Sequence, residues 1–176
     1  MVIKNILIII QRSNGDVLLS SSLINQLNKN LQPNSIDLLV NQDTLGIAKC
    51  LRNVDKIFTF SYKEKKENRL LQEKNIIQKI FKKYDLCINL TSSDRSVIYA
   101  LLAAKQTISA VENNKFKSWW KILLLNYSYI YEDNSHILLN NLKPLNFLNI
   151  QSLRYLDAPV NNQDSLKSVK SKLTKL

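Results

Sequence analysis

The residue types best suited to chemistry lie in a short polar segment near the N-terminus, Gln-Arg-Ser-Asn-Gly-Asp at residues 11–16. A carboxylate on a turn between a buried strand and a helix can serve in catalysis, which makes Asp16 a candidate catalytic residue. The same carboxylate could instead cap the helix that follows, so both interpretations stand at this point. Gly15 permits tight backbone geometry, and amides at the start of a helix can face an anion. The candidate binding residues of this turn are Arg12, Ser13, Asn14 and Gly15.

Two further polar residues, Asp94 and Arg95, come shortly after an apolar run at residues 84–90. The planar arginine fork can bind phosphate or carboxylate through two hydrogen bonds, so Arg95 is a candidate contact for a phosphorylated ligand. Arg12 is a candidate for the same role or for a solvated position on the surface. The alternative for the second pair is structural, with Asp94 capping a helix and Arg95 solvated in its first turn.

A third candidate group is basic and follows the apolar segment at residues 55–60. Lys63, Lys65 and Lys66 could recognise phosphate groups of a ligand. Glutamates are interspersed among these lysines, however, and such mixing is typical of a solvated helix face. Both interpretations stay open from the sequence.

Lysines and aromatic residues are mixed at residues 115–121, which read Lys-Phe-Lys-Ser-Trp-Trp-Lys. Trp and Lys together suit the interface between a membrane and water, so this segment predicts a peripheral membrane contact. The alternatives are a mobile loop and a pair of tryptophans packed in the core. His136 has no set of Asp and Ser partners in the sequence, and we interpret it as structural.

Several function classes are excluded by what the 176-residue chain contains. The chain has one His, and its two cysteines, Cys50 and Cys87, lack metal-binding spacing, so no metal site is predicted. It has no G-x-G-x-x-G segment and no P-loop, and no cofactor is predicted. The net charge of +11 favours an anionic partner: nucleic acid, an acidic membrane or a phosphorylated substrate. The basic residues are dispersed and no recognition motif is present, which argues against nucleic acid.

The location predicted from the sequence is cytoplasmic. The apolar run at residues 6–10 is too short for a secretory signal and leads into Gln11 and Arg12 rather than a cleavage site. No apolar stretch approaches the roughly 20 residues that span a bilayer. A peripheral position on the inner membrane is compatible with both observations.

Apolar runs alternate with segments of helical spacing through residue 110. The run at residues 6–10 is continuous and β-branched, which is typical of a strand buried on both faces of a parallel sheet. The alternation predicts an α/β fold, a Rossmann-like parallel sheet with helices on both faces, in which ligands bind beyond the carboxyl ends of the strands. The predicted strands cover residues 6–10, 35–40, 55–60, 84–90 and 106–110, and the predicted helices residues 17–31, 44–51, 63–83, 95–104, 136–147 and 165–176, with residues 156–159 extended and residues 116–131 of uncertain type. The helix at residues 63–83 is expected to bury Leu70, Ile76, Ile77, Ile80 and Phe81.

The order and spacing of short motifs along the chain resemble the bacterial lipopolysaccharide heptosyltransferases. The apolar run and the turn Arg12-Ser-Asn-Gly-Asp-Val-Leu-Leu19 look like that family's opening strand and its small-x-Gly-Asp-Val/Ile-Leu turn. Later motifs are similar to the family's first helix end, its second to fourth strands, the turn of members that act on inner-core heptose, and the end of its N-terminal domain. These motifs lie at residues 27–33, 36–44, 54–57, 84–91, 92–96 and 136–150.

The resemblance implies the N-terminal half of a GT-B glycosyltransferase, an enzyme of two Rossmann-like domains with the active site between them. Such enzymes transfer heptose from ADP-heptose to the lipopolysaccharide core with inversion. The resemblance implies Asp16 as the general base and the lipopolysaccharide core as the acceptor. It also implies that ADP-heptose binds only with a C-terminal domain.

The same match predicts an acceptor-binding domain at residues 1–150, followed at residues 151–176 by a linker and the start of a missing C-terminal donor domain. Whether the chain is an enzyme by itself is therefore open. One alternative is a catalytically inactive truncated remnant, or a split-gene half that needs a partner chain. A basic nucleic-acid-binding domain is a further, weaker alternative.

Overall fold

A six-stranded parallel sheet forms the centre of the structure, a computed structural model that describes residues 2–156. Its strands are β1 (Asn5–Ile10), β2 (Ser35–Asn41), β3 (Ile57–Phe60), β4 (Tyr84–Asn89), β5 (Ala104–Val111) and β6 (Tyr127–Ile130). Their spatial order is β3-β2-β1-β4-β5-β6, and every neighbouring pair is parallel. The chain thus runs outward from β1 to one edge, then returns to the other side of β1 at β4. The predicted Rossmann-like α/β fold is confirmed.

The central strand β1 is buried on both faces, as its continuous apolar run predicts. Its side chains alternate between two core clusters. Ile6, Ile8 and Ile10 pack in one cluster, while Leu7 and Ile9 pack in the other. Helices cover both faces, because each cluster also contains helical residues. The helices are α1 (Asn14–Leu19), α2 (Ser21–Leu31), α3 (Leu45–Ala48), α4 (Tyr62–Ile80), α5 (Asp94–Ala103), α6 (Lys115–Leu124) and α7 (Ile137–Leu142).

The single helix predicted at residues 17–31 is wrong in its bounds, because the structure has two helices there. Helix α1 begins earlier, at Asn14, and α2 begins after Ser20. The Ser20 hydroxyl donates to the Val17 carbonyl at 2.6 Å. Serine competes for backbone groups in this way, which favours a helix boundary over a helix interior.

The buried stripe predicted for residues 63–83 is correct for Ile76 and Ile80 but wrong for Leu70 and Phe81. Leu70 is 82% exposed, and Phe81 lies beyond the end of α4 and is also exposed. Helix α4 is kinked at Asn68, whose φ of −149° and ψ of 73° are not helical. The Asn68 side-chain oxygen accepts a hydrogen bond from the Leu71 amide at 3.3 Å. The helix restarts at this internal cap, so helical spacing does not continue across it.

Residues 116–131, of uncertain type in the sequence, form the end of the sheet. Helix α6 occupies most of the segment, and β6 pairs in parallel with β5 as the sixth strand. The helix predicted at residues 136–147 is also shorter than expected. Helix α7 ends at Leu142 and a 3₁₀ segment, Lys143–Leu148, follows with Pro144 near its start, where the missing N–H cannot continue an α-helix.

Residues 151–156 have no regular secondary structure. Two predicted segments lie outside the described residues: the helix at residues 165–176 and, except for residue 156, the extended segment at residues 156–159. The domain boundary at residue 150 stays a prediction. Within residues 2–156, no helix combines the length and the apolar character needed to cross a membrane.

Candidate active site

The turns after β1 and β4 meet at the carboxyl edge of the sheet, where its strand order changes direction. The Gln11 amide donates a hydrogen bond to the Thr91 hydroxyl at 2.9 Å, which joins the two turns. The buried carboxamide of Asn89 donates to the Thr91 carbonyl at 2.7 Å and to the Ser109 hydroxyl at 2.9 Å. These bonds hold the β4 turn between its neighbours at the position where doubly wound folds bind ligands.

Asp16 does not cap helix α1. Ser13 is the cap, with extended backbone angles and a hydroxyl that accepts the Asp16 amide at 3.4 Å. The capping alternative for Asp16 is therefore wrong, and its carboxylate is free to face the turn. Ser13, Asn14 and Gly15 are exposed beside it. The expectation of special backbone geometry at Gly15 is wrong: it lies in α1 with an ordinary φ, and an added Cβ would meet only the Ser13 hydroxyl, at 3.9 Å.

An ion pair defines the position of the Asp16 carboxylate. Arg12 Nε donates to Asp16 Oδ2 at 2.9 Å, and the other end of the guanidinium donates to the Tyr131 hydroxyl at 2.8 Å. The guanidinium also lies 4.4 Å from the centre of the Tyr131 ring. Burial raises the pKa of Tyr131; Arg12 opposes the rise and Asp16 adds to it, so this phenol stays protonated at neutral pH. The solvated alternative for Arg12 is wrong, since its side chain is held from both sides.

Arg95 lies across the β4 turn and stacks on aromatic rings. Its guanidinium carbon is 3.6 Å from the ring centre of Phe60 and 5.5 Å from that of Tyr62, and a terminal nitrogen donates to Gln11 Oε1 at 3.4 Å. The solvated alternative for Arg95 is wrong. The two rings meet edge to face and line a cleft of about 290 Å³ with Gln42, Asp43, Ser61 and Lys63.

Three buried polar atoms at this edge have no hydrogen-bond partner within the described part of the chain: Gln11 Nε2, Asn41 Oδ1 and Arg95 Nε. They belong to residues at or just after the carboxyl ends of β1 and β2 and to the first turn of α5. Buried polar groups in native proteins are nearly always paired, so a cluster of unpaired ones favours a place where a polar ligand supplies the missing bonds.

Asp94 points away from this cleft. Ser93 caps α5, so the capping alternative for Asp94 is wrong. The Asp94 carboxylate instead accepts a hydrogen bond from the Lys121 ammonium at 2.7 Å. Lys121 is fully buried, although the sequence around it suggests a surface residue. Its ammonium group also donates a hydrogen bond to the Ser92 carbonyl at 2.7 Å and lies 3.5 Å from the Glu112 carboxylate. It fastens α6 to the β4 turn.

The three candidate lysines at the start of α4 do not act as one group. Lys63 lines the cleft beside Tyr62, whereas Lys65 and Lys66 do not. Lys66 lies on the exposed face of the helix and Lys65 is half-buried. The structure thus places Lys63 in the same cleft as Tyr62, on whose ring Arg95 stacks, and leaves the other two lysines outside this cleft.

Two contact residues of the site, Phe60 and Tyr131, were not predicted from the sequence. Each lies at or just after the end of a strand, which is the signal that could have found them. His136 caps α7 through a ring nitrogen that accepts the Leu138 amide at 3.2 Å, consistent with its structural interpretation. Among residues 2–156, no group of three or more His, Cys, Asp or Glu side chains is arranged to hold a metal ion.

The arrangement combines a fixed carboxylate, cations and an exposed aromatic surface. A carboxylate can accept a proton from a hydroxyl group, the arginines and Lys63 suit phosphate, and an aromatic ring offers a flat apolar surface to a sugar. Such a set of groups has the chemistry needed to contact phosphate and to accept a proton from a hydroxyl group.

Comparison with known proteins points in the same direction. No family model matches the chain. Lipopolysaccharide heptosyltransferase 3 of Escherichia coli is 28% identical over 113 residues, which are 62% of this chain and 33% of that protein. The chain therefore spans about a third of this curated relative.

Solved structures match over most of this chain but about half of their own. A glycosyl transferase family 9 structure from Veillonella parvula has a TM-score of 0.74 at 17% identity and matches over 91% of this chain and 46% of its own. The E. coli heptosyltransferase WaaC with ADP has a TM-score of 0.68 at 14% identity, over 86% and 49%. E. coli ADP-heptose lipopolysaccharide heptosyltransferase II has a TM-score of 0.63 at 17% identity, over 98% and 51%. The chain is therefore similar to the lipopolysaccharide heptosyltransferases, as its motifs predict, and its α/β fold matches about half of each of these GT-B glycosyltransferases.

Proposed function

We propose that this chain is the acceptor-binding, N-terminal domain of a glycosyltransferase that transfers heptose from ADP-heptose to the inner core of lipopolysaccharide. The single observation that carries the proposal is the carboxyl edge of the sheet, which holds the Arg12–Asp16 ion pair, Arg95 stacked on Phe60 and buried polar atoms without partners in the described residues. The sequence similarity to a lipopolysaccharide heptosyltransferase supports the choice of substrate class.

Asp16 is the general base in this proposal. One carboxylate oxygen, Oδ2, is held by Arg12, while no hydrogen bond within residues 2–156 involves the other, Oδ1. Oδ1 accepts the proton of an acceptor hydroxyl as that oxygen attacks the anomeric carbon of the donor. The new glycosidic bond forms on the face opposite the departing diphosphate, which leaves with the electrons of the broken carbon–oxygen bond. Arg12 keeps the carboxylate in place during this step.

The acceptor is recognised by the neighbouring cleft. Arg95 and Lys63 meet phosphate groups of the lipopolysaccharide core, and the exposed ring of Tyr62 provides a surface for a sugar ring. The unpaired Arg95 Nε and Gln11 Nε2 donate to oxygens of the bound saccharide.

The donor is assigned to a second domain of similar size that faces this edge of the sheet. E. coli WaaC structures with ADP and with ADP-2-deoxy-2-fluoro heptose support a nucleotide sugar as the donor class. The chain matches about half of each, which leaves room for such a domain, in the same polypeptide or in a partner chain. A chain that binds the acceptor alone is expected to show no transfer by itself.

The test is made with this domain joined to the donor domain of a related heptosyltransferase. Asp16→Asn should lower kcat by about 10²–10⁴-fold, the usual contribution of a general base, while the domain stays folded, because the Asn oxygen can still accept the bond from Arg12. Glu67→Gln, which changes an exposed carboxylate on α4 outside the cleft, is the control and should retain activity. Near-normal turnover of the Asp16 variant would remove Asp16 from the base role.

A binding titration separates the acceptor role from catalysis. The chain alone should bind a phosphorylated core oligosaccharide and should not bind ADP-heptose. Tight binding of both would contradict the assignment of the donor to another domain. Binding of neither would favour the inactive remnant.

A further inference from the structure

Helix α6 is amphipathic, but its polar side faces the protein and its apolar side faces solvent. Phe116, Trp119 and Leu123 repeat at helical spacing on one side and are strongly exposed, Phe116 to 93%. Among residues 116–124 of the helix, the two fully buried ones are polar, Ser118 and Lys121. Ile122 and Leu124 add further exposed apolar surface.

The inward side of α6 is held by specific polar bonds rather than by general apolar burial. The Ser118 hydroxyl donates to the Glu112 carbonyl at 2.8 Å, and Lys121 makes its bonds to Ser92 and Asp94. The half-buried Trp120 packs against a small apolar cluster of Val97, Leu101, Val111 and Leu125. The helix is thus anchored firmly with its apolar side outward, which a soluble surface alone does not favour.

The charges on α6 select among possible partners. Its sequence, Lys-Phe-Lys-Ser-Trp-Trp-Lys-Ile-Leu-Leu, contains no acidic residue, and Lys117 is exposed beside the apolar side. The acidic neighbours Asp94 and Glu112 are both close to Lys121, which offsets their charge. Exposed Trp, Phe and Leu beside Lys, on a chain of net charge +11, complement an anionic bilayer surface.

We propose that the apolar side of α6 is a docking surface for an anionic lipid bilayer, with Phe116, Trp119 and Leu123 inserted among the headgroups. The inserted helix lies parallel to the membrane plane. Because Lys121 joins α6 to the β4 turn, docking places the candidate site close to the membrane surface. Such docking would give the site access to an acceptor that is itself lipid-linked, and this consequence rests on the proposed function. The docking surface itself does not rest on the proposed function.

The experiment is co-sedimentation of the full 176-residue chain with vesicles that contain no saccharide. Vesicles of phosphatidylcholine with phosphatidylglycerol are compared with vesicles of phosphatidylcholine alone. The chain should partition onto the anionic vesicles, and added salt should weaken the binding because it screens the lysines. The double variant Trp119→Ser, Leu123→Ser should bind about 100-fold more weakly, roughly tenfold for each large apolar side chain removed.

The matched control is Leu70→Ser, Leu71→Ser, which removes two exposed leucines from α4 instead. This control should bind vesicles as tightly as the unmodified chain does. Both double variants should keep the melting temperature of the unmodified chain, since the replaced side chains are exposed. Unchanged vesicle binding by the α6 variant, or equal binding to neutral and anionic vesicles, would overturn the proposal.

Sedimentation velocity without vesicles tests the competing partner, a second copy of this chain. Self-association that is lost in the α6 variant, with vesicle binding unchanged, would assign the surface to a protein interface and overturn lipid docking. Failure of vesicle binding leaves the proposed function testable, because acceptor recognition is measured with a lipid-free core oligosaccharide.

Discussion

Replacing Arg95 with methionine should leave stability almost unchanged while weakening acceptor binding. The guanidinium stacks 3.6 Å from the centre of the Phe60 ring, and the hydrogen bond that it donates to Gln11 is long at 3.4 Å. Methionine has a similar length, stays flexible and packs well against aromatic rings, so the contact with Phe60 is retained in apolar form. The variant therefore isolates the contribution of the charge and the hydrogen-bond donors.

The expected change in the free energy of unfolding follows from two opposing contributions. The cation–π contact contributes about 0.5–2 kcal/mol. Against it, the buried Arg95 Nε has no partner within the described residues, and an unpaired buried donor costs about 1–3 kcal/mol. Removing the guanidinium loses the first and relieves the second. At the middle of both ranges the two contributions nearly cancel, so the net change should lie within about 1 kcal/mol of zero, small for a half-buried arginine.

The two halves of this prediction need separate measurements. Urea unfolding should show a midpoint shift below about 1 M, given slopes of about 1–3 kcal/mol per molar urea. Titration with a phosphorylated core oligosaccharide should show affinity lower by about 10–100-fold, the loss expected for a charge-assisted hydrogen bond. Arg95→Lys keeps the charge but not the planar fork, so its affinity for the oligosaccharide should lie between that of the unmodified chain and that of Arg95→Met.

A loss of more than about 3 kcal/mol in Arg95→Met, with unchanged saccharide affinity, would refute this reasoning. It would mean that Arg95 holds the β4 turn against β3 and that the unpaired Nε is satisfied by water. The stacking on Phe60 would then be structural, and the acceptor contacts would have to be sought elsewhere on the carboxyl edge.

Three further predictions concern residues outside the cleft. Lys121→Met should destabilise the chain by about 2 kcal/mol in urea unfolding, because the Ser92 carbonyl loses its hydrogen-bond donor. This cost is smaller than that of breaking a fully buried ion pair, because the carboxylates of Asp94 and Glu112 are partly exposed to solvent. Tyr84→Phe should cost about 1–3 kcal/mol by the same measurement, since the buried Asp37 carboxylate loses a hydrogen bond of 2.7 Å. The Asp85 carboxylate accepts hydrogen bonds from two backbone amides, and these bonds are the chief reason that its pKa is lowered. Its contribution to stability is therefore present above the ordinary carboxylate pKa of about 4, and it is lost as the pH falls through the lower pKa of the folded state. The unfolding free energy of Asp85→Asn should accordingly fall less between about pH 5 and pH 2 than that of the unmodified chain, and an equal fall would contradict the assignment.

The amino-acid sequence by itself determined the fold class and the location of the candidate site. The apolar run of β1 required burial on two faces, and strand–helix alternation then left few arrangements other than a parallel sheet. Because parallel strands share one carboxyl edge, the polar turns carrying Asp16 and Arg95 had to lie at the same edge. These inferences succeed because they depend on local pattern and on general rules of chain connection.

Only the tertiary structure decided which side of each helix is buried and which charges are paired. Lys121 is buried while Phe116 is exposed, opposite to their hydropathies, because the polar groups left by the β4 and β5 turns meet α6 on its inward side. Arg12 meets Tyr131 across a long stretch of chain, a contact that no local pattern contains. Pairing of charges and orientation of helices depend on the surfaces that distant elements present, and these exist only once the chain has folded.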